Sequence, residues 1–498
     1  MKIASLISGS DVRGQAIGDG AQLTETAGFR LGEAFVRFIK NRGVQAPKIA
    51  VGRDPRLSGE ALELAIAEGM KNAGAKVTCF GLATTPAMYM ALVRPEFQGD
   101  ASVMVTASHL PWERNGYKFF LPDGGITSAT LKQILALADS GEDFTSPGGS
   151  IEHAPFLPVY TGILEDKIRS ELGGEKPLTG LHIVVDAGNG AGGFYADMLS
   201  RLGADTTGSR YLDPDGHFPN HIPNPENEEA MDSIREAVLT SHADLGVIFD
   251  TDCDRAAIVD AAGREINRNR LIALISAVLL QSDPGALIVT DSVTSAGLAE
   301  FIRNKGGVHH RFKRGYRNVI DESRRLNEEG IDSPLAIETS GHAALRENYF
   351  LDDGMYLVTR LIIEAVRMQR VGKRLTALID DLREPVESAE IRLRLTNPDF
   401  RADGEAAIAK VKEKATEDDT WHIAPDNREG IRVSFDLPGQ KDACWFLLRL
   451  SLHDPVLPLN MESDAPGGLR MMATLLLELL SPCSGIDCSN LTHFLEKV

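Results

Sequence analysis

Apolar positions along this chain alternate between two rhythms. Residues 48–51 form a short strand-like stretch, Lys48 followed by the apolar Ile49, Ala50 and Val51, and 58–72 follows with Leu62, Ala65, Ile66 and Met70 at helical spacing. A short apolar run bounded by turn residues reads as a buried strand; recurrence at three and four positions reads as one helix face. The plan continues with a strand over 76–80, a short helix over 85–93 opened by Pro86, and a strand over 102–105. Ahead of this unit, 24–42 carries Leu31, Ala34, Phe35, Phe38 and Ile39 on one stripe and stops at Gly43, a residue suited to ending a helix.

The same plan recurs twice. Strand 183–185, helix 192–202, a strand near 205–207, helix 226–241 and strand 245–249 make a second unit. Strand 287–290, helix 295–304, strand 309–312, helix 317–328 and strand 335–337 make a third. Each unit closes on a strand that runs into a polar loop: Thr106-Ala107-Ser108-His109, Asp250-Thr251-Asp252-Cys253-Asp254-Arg255, and Glu338-Thr339-Ser340-Gly341-His342. In α/β sheets the ligand crevice lies outside those strand ends. The last part changes rhythm. Residues 389–395 alternate as a half-buried strand, 430–435 and 445–450 read as further strands, 467–479 as a helix, and 405–417 as a charged helix with a solvated face. The expected fold is therefore three similar mixed α/β domains in tandem, 1–155, 156–262 and 263–385, then a C-terminal α+β domain, 386–498, around a central cleft. The seams are expected at 146–158, 260–269 and 383–388.

Length supports several domains, because 498 residues exceed the roughly 250–300 at which single cores stop growing. Charge narrows the partners. With 71 acidic against 52 basic side chains, a net −19, a nucleic acid or anionic membrane is not expected, since both need a basic face. The longest apolar runs, such as 271–280, fall short of the ~20 residues that span a bilayer. Five cysteines, odd in number and without a CxxC pair, suit a reducing compartment, and residues 1–14, with one lysine and a short apolar run, are not expected to act as a targeting segment. A cytoplasmic protein is expected.

The loops carry the chemistry. Alternate carboxylates at Asp250, Asp252 and Asp254 suit a hard cation such as Mg²⁺ or Ca²⁺. An EF-hand fails, because its glycine and glutamate positions hold Arg255 and Ala261; an aspartyl-phosphate nucleophile stays open. Ser108, flanked by His109 and followed by Lys118, reads equally as a nucleophile or as a surface turn. No G-x-S-x-G elbow surrounds it. Glu338, Ser340 and His342 suit sugar hydroxyls or a capped helix start. Arg449 and Ser451 at the mouth of a turn suit phosphate.

In this order, the loops resemble those of the α-D-phosphohexomutase superfamily. Further matches are Gly9-Ser10-Asp11-Val12-Arg13-Gly14, the run from Val51-Gly52-Arg53-Asp54-Pro55-Arg56 to Ser58, Thr84-Thr85-Pro86, and Asp213-Pro214-Asp215-Gly216-His217-Phe218-Pro219, so the resemblance covers nearly the whole chain. It implies an intramolecular phosphotransferase that interconverts hexose 1-phosphate and hexose 6-phosphate. The route would be a phosphoserine enzyme and a sugar 1,6-bisphosphate, which also serves as activator. By position it implies Ser108 as the phosphoserine, sharing Mg²⁺ with Asp250, Asp252 and Asp254. Arg13, His109 and Lys118 would sit beside the reacting oxygens, Lys118 or His109 as general acid/base, with Arg255 supporting the metal loop. Glu338, Ser340, His342, Arg314 and Tyr316 would meet the sugar, and Arg449, Ser451 and His453 the distal phosphate. The implied partner is a small hexose phosphate, and the implied assembly a monomer or dimer. A phosphoglucosamine mutase, a weakened homologue acting as regulator, and a phosphatase using Asp250 are the alternatives. Three segments depart from the family pattern: Leu110 precedes Pro111 where asparagine is usual, Leu452-His453-Asp454 replaces Asn-Thr-Glu, and Arg314-Gly315-Tyr316-Arg317 replaces Val-Gly-His-Lys. Altered substrate preference is expected from them.

Overall fold

The apolar run near residue 50 becomes the strand Lys48–Arg53, with Ile49, Ala50 and Val51 fully buried, as a strand covered on both faces requires. In this computed structural model, which describes residues 2–437, 439–451 and 454–498, that strand lies between the parallel strands Lys76–Leu82 and Ala101–Val105. Arg114–Leu121 pairs antiparallel with Ala101–Val105, and Asp11–Gln15 pairs antiparallel with Arg114–Leu121. The opening motif is thus a strand, whose Arg13 stands opposite Gly116. Helix Glu25–Asn41 begins at Thr24, whose hydroxyl accepts from the Ala27 amide (3.3 Å), and helix Thr85–Val93 begins at Thr84 with Pro86 in its first turn.

Helices Glu25–Asn41 and Gly59–Asn72 approach closely through Gly32 and Gly69. A Cβ on Gly69 would run into the Phe29 carbonyl oxygen, and one on Gly32 would run into the Ile66 carbonyl oxygen.

These elements belong to one compact unit, residues 1–271 with 340–377. Its second sheet runs in the order Glu265–Ile266, Ala256–Asp260, Leu245–Phe249, Ile183–Asp186, with only the last pair parallel. The strand expected near 205–207 is not one. That stretch makes only isolated bridges, His182 with Asp205 and Asp186 with Arg210. Asp205 turns its carboxylate onto the Thr207 amide (2.9 Å), and Gly208 takes φ +93°, so the backbone bends where a strand would continue. Helix Glu228–Ser241 buries Ala230, Ile234 and Val238. Helix Gly354–Arg370, not expected from the pattern, is buried nearly all round; Asp353, which accepts from the Tyr160 hydroxyl (2.7 Å), caps it.

The other unit comprises residues 272–339 and 378–498. Its first part places Leu287–Thr290 between the parallel strands Val308–Arg311 and Leu335–Ile337. Its second part is an antiparallel sheet in the order His422–Ile423, Ile431–Leu437, Gln440–Leu448, Val456–Ser463, Glu387–Leu395, Ile486–Asp487. In Glu387–Leu395 the residues Ile391, Leu393 and Leu395 are buried while Arg392 and Arg394 are exposed, the alternation visible in the sequence. Strand Val456–Ser463 escapes the pattern because Pro458 and Asn460 interrupt it. Among the described residues no helix is long and apolar enough to cross a membrane.

The helix contact yields a contrast of signs. Gly69→Ala is expected to destabilise the protein by about 1–3 kcal/mol through overpacking, whereas Gly162→Ala, in helix Leu157–Leu172 with nothing within 4 Å, gains about 0.4–1 kcal/mol. Paired thermal unfolding scans check both; equal shifts would refute the close contact.

Candidate active site at the Ser108 and Asp250 loops

Ser108 stands just beyond strand Ala101–Val105, where the Thr106 amide still bonds the Gly116 carbonyl (3.0 Å). The chain then turns: the Thr106 hydroxyl donates to Asp54 (2.6 Å) and accepts from the Ser108 amide (2.8 Å), while Ser108 takes φ +52°. This is not the surface turn the sequence left open, because Ser108 is only 4% exposed. The aspartate loop likewise follows Leu245–Phe249 and reverses through Cys253, φ +65°, into Ala256–Asp260. It is closed by the Asp250 amide on the Arg255 carbonyl (3.2 Å) and the Cys253 amide on the Asp250 carbonyl (3.2 Å). Asp250, Asp252 and Asp254 are all buried, and one ligand oxygen from each lies within 4.8 Å of the others.

The two loops meet. Ser108 Oγ donates to Asp250 Oδ2 (3.1 Å), and Arg255 Nη2 donates to Ser108 Oγ (3.2 Å), Asp250 Oδ2 (2.9 Å) and His109 Nδ1 (2.7 Å). Lys118 Nζ donates to Asp252 Oδ2 (2.7 Å) and to Asp254 Oδ2. Thr85 adds its hydroxyl to Asp252 Oδ2 (2.5 Å) and its amide to the Asp252 carbonyl (2.9 Å). Thr84-Thr85-Pro86, to which no role could be given from sequence, therefore docks a helix start on the aspartate loop.

Three buried carboxylates facing two cationic side chains leave negative charge to be balanced. Burial, and then Asp254, push the Asp250 carboxyl up to about 7 against the pull of Arg255. Asp254 is also opposed by burial, but Lys118, His342 and Arg255 outweigh it and hold its carboxyl below the usual range. Asp252 Oδ1 and Asp254 Oδ1 are buried with no hydrogen-bond partner among the described residues. An all-oxygen set with such orphaned acceptors fits a hard divalent cation. His109 is the reverse case: burial, then Arg255 and Arg13, drive its imidazole down to about 2, so it is neutral, with Nδ1 as acceptor. Arg13 itself pairs with Asp11 (2.8 Å). Asp352, which the sequence did not single out, holds His342 Nδ1 at 2.7 Å. Burial works against the charge of His342, but Asp352 and then Asp254 raise it to about 9.

Ser340 is buried in this same unit, and residues 338–342 form a turn rather than a helix start. In the other unit, Glu338 accepts from the Gly315 amide (2.5 Å), and Tyr316 is the first residue of helix Tyr316–Glu328. The Arg314 amide donates to Glu429 (2.8 Å), and its guanidinium stands 4.0 Å from Asp291, which also accepts from the Thr339 hydroxyl (2.7 Å). Glu429 and Asp291 carry no motif and were missed. Arg449 is 8% exposed; burial, then Arg314, lower its pKa, and its Nε lacks a hydrogen-bond partner among the described residues. Ser451 closes the turn there, accepting from the Asp454 amide (3.2 Å). His453 lies outside the described residues.

Three family models match consecutively: phosphoglucomutase/phosphomannomutase alpha/beta/alpha domain I over residues 5–144, domain II over 160–263 and domain III over 267–386. The phosphomannomutase/phosphoglucomutase of Pseudomonas aeruginosa is 32% identical over 475 residues, 95% of this chain and 94% of its own. The chain belongs to the α-D-phosphohexomutase superfamily.

A phosphomannomutase of Escherichia coli K12 is likewise 32% identical, over 96% of this chain and all of its own. A solved phosphoglucomutase/phosphomannomutase family protein of Burkholderia thailandensis has a TM-score of 0.80 at 28% identity, covering 98% of this chain and 100% of that one. Membership makes the chain a phosphohexomutase, an isomerase that works by intramolecular phosphotransfer. In this phosphohexomutase the His342–Asp352 pair gives stability a defined pH dependence. The imidazole's pKa is raised above 6.5, so the stability it supplies is complete below about pH 6.5 and fades as pH rises through about 9. Urea unfolding in chelator should show wild type losing its advantage over His342→Gln across that interval; a pH-independent difference would mean that His342 is uncharged.

Proposed function

We propose that Ser108 is the phosphoryl carrier of this phosphohexomutase, and that the chain interconverts the 1- and 6-phosphates of glucose or mannose through a sugar 1,6-bisphosphate. The observation that supports this most is the position of Ser108 Oγ, in bonding reach of both Asp250 (3.1 Å) and Arg255 (3.2 Å) in a buried site. In the first transfer the bond from phosphorus to Ser108 Oγ breaks, a bond to the free sugar hydroxyl forms, and that hydroxyl's proton passes to Ser108 Oγ. In the second, the other phosphoryl group returns to Ser108 Oγ, whose proton passes to the sugar oxygen the group leaves. Each transfer therefore moves one proton from the attacking to the leaving oxygen, and nothing is consumed.

Lys118 Nζ, bonded to Asp252 and Asp254, is the group proposed to relay that proton. His109 is the weaker candidate, because its imidazole is driven down to about 2 and its Nδ1 already accepts from Arg255. Asp250, Asp252 and Asp254 would hold Mg²⁺, which when bound neutralises charge on the transferring phosphoryl oxygens. Arg255 anchors Asp250 and reaches Ser108, so it orients the acceptor and screens its charge. Glu338 with Ser340, Arg314 and Tyr316 are assigned to the sugar, and Arg449 with Ser451 to the phosphate not being transferred. A sugar 1,6-bisphosphate would reload an unphosphorylated Ser108, hence its role as activator. All five cysteines are free, which suits a cytoplasmic enzyme. The regulator reading is disfavoured because the serine, the lysine and the three aspartates form one connected, buried constellation.

Intact-mass measurement of the purified protein should find one phosphate on wild type and none on Ser108→Ala, with turnover of glucose and mannose 1-phosphates lost in the variant. An active, unphosphorylated Ser108→Ala would refute the carrier assignment. Asp252→Asn should stay folded while kcat falls about 1,000-fold, on the order of 4 kcal/mol of barrier. Chelator should silence wild type and Mg²⁺ should restore it; retained Mg²⁺-dependent turnover in Asp252→Asn would contradict the ligand set.

A further inference from the structure

Two motifs singled out in the sequence, the run from Val51 to Ser58 and the run from Asp213 to Pro219, have so far no part in the chemistry. The structure brings them together behind the serine. Arg56 is 1% exposed, and every N–H of its guanidinium is spent. Nε donates to Asp54 (3.1 Å); Nη1 donates to the carbonyls of Pro111 (2.8 Å) and Arg114 (3.0 Å); Nη2 donates to the carbonyls of Leu110 (2.7 Å) and Ser108. Asp54, also buried, is the carboxylate that accepts from Thr106, whose hydroxyl caps the Ser108 amide. One side chain therefore gathers four carbonyls of the serine loop. Only a planar fork with five donors can do this; a lysine offers three from one point.

Arg56 is held in turn by the second motif. Gly216 bridges the Arg56 backbone, and Phe218 lies under its guanidinium at 5.1 Å. The neighbouring His217 ring meets Trp112 of the serine loop at 5.8 Å. The approach at Gly216 leaves no room for a side chain, since a Cβ would meet the Pro55 carbonyl oxygen and the Leu57 amide nitrogen at 2.6 Å.

We propose that Arg56 is the positioning residue of the serine loop, collecting its carbonyls so that Ser108 is held in its left-handed turn toward Asp250, and that the 213–219 turn holds Arg56 in that role. This rests on Ser108 being the phosphoryl carrier. The guanidinium donors of Arg56 go to Asp54 and to backbone carbonyls of the serine loop, so its effect passes through the backbone that carries Ser108. A misplacement of about 1 Å at a reacting atom costs on the order of 100-fold in rate.

The test compares Arg56→Lys, Gly216→Ala and Phe218→Leu in the full chain. Each is assayed for kcat and KM with glucose 1-phosphate, for melting temperature, and for the ³¹P resonance of the phosphoserine. Arg56→Lys and Gly216→Ala are expected to lower kcat by about 100-fold, with KM within about twofold and a displaced ³¹P resonance; Phe218→Leu should show the same signature more weakly. If Arg56→Lys does not fold, Gly216→Ala and Phe218→Leu decide alone. Folded variants with wild-type kcat and an unmoved ³¹P resonance would overturn the proposal. The carrier assignment is separated by Ser108→Ala: an inactive Ser108→Ala beside normal Gly216→Ala sinks only the positioning role, whereas an active Ser108→Ala sinks the reading beneath it.

Discussion

Concentration of like charge in a dry place is the constraint around which this unit is built. Asp250, Asp252 and Asp254 lie within 4.8 Å of one another and away from water, an arrangement whose desolvation and repulsion no protein sustains without compensation. The compensation comes from separate elements, Lys118 from a strand of the first sheet, Arg255 from the aspartate loop itself and Thr85 from a helix start, with two carboxylate oxygens still unpartnered among the described residues. Because Lys118 sits on the first sheet, the second sheet's loop is electrostatically bound to it. Under the proposed carrier role, phosphate on Ser108 would be one more anion in this set, met by the Arg255 guanidinium already in contact with the serine.

The whole-chain charge of −19 gives no hint of this. A partner seen at long range meets an acidic surface, while within the first unit Arg255, Lys118 and His342, its pKa raised, stand together beside the aspartate loop.

Much of this architecture is legible in the order of the amino acids. The two rhythms locate the three α/β repeats, since buried parallel strands and one-faced helices leave strong periodic traces. The aspartate triplet and Ser108 announce themselves because strand ends followed by polar loops are where such folds place ligands. What escapes does so for physical reasons. Strand Val456–Ser463 is broken in sequence by Pro458 and Asn460 but is completed by its neighbours; the stretch near 205–207 looks extended but obeys Gly208 and an aspartate turn. Asp352, Asp291, Glu429 and Thr85 act through partners that are mostly distant in the chain, and isolated acids and hydroxyls leave no periodic mark. The burial of Ser108 is likewise invisible, because it depends on what packs over the loop rather than on the loop.

The left-handed backbone of Ser108 has a consequence for the stability of this chain. A serine at φ +52° costs about 1–2 kcal/mol relative to a residue without a Cβ, a sizeable share of the margin by which proteins stay folded. Glycine there would relieve the backbone at once, so drift toward greater stability pulls steadily against the hydroxyl. On the proposed carrier role, the hydroxyl is held in place at that standing cost in stability.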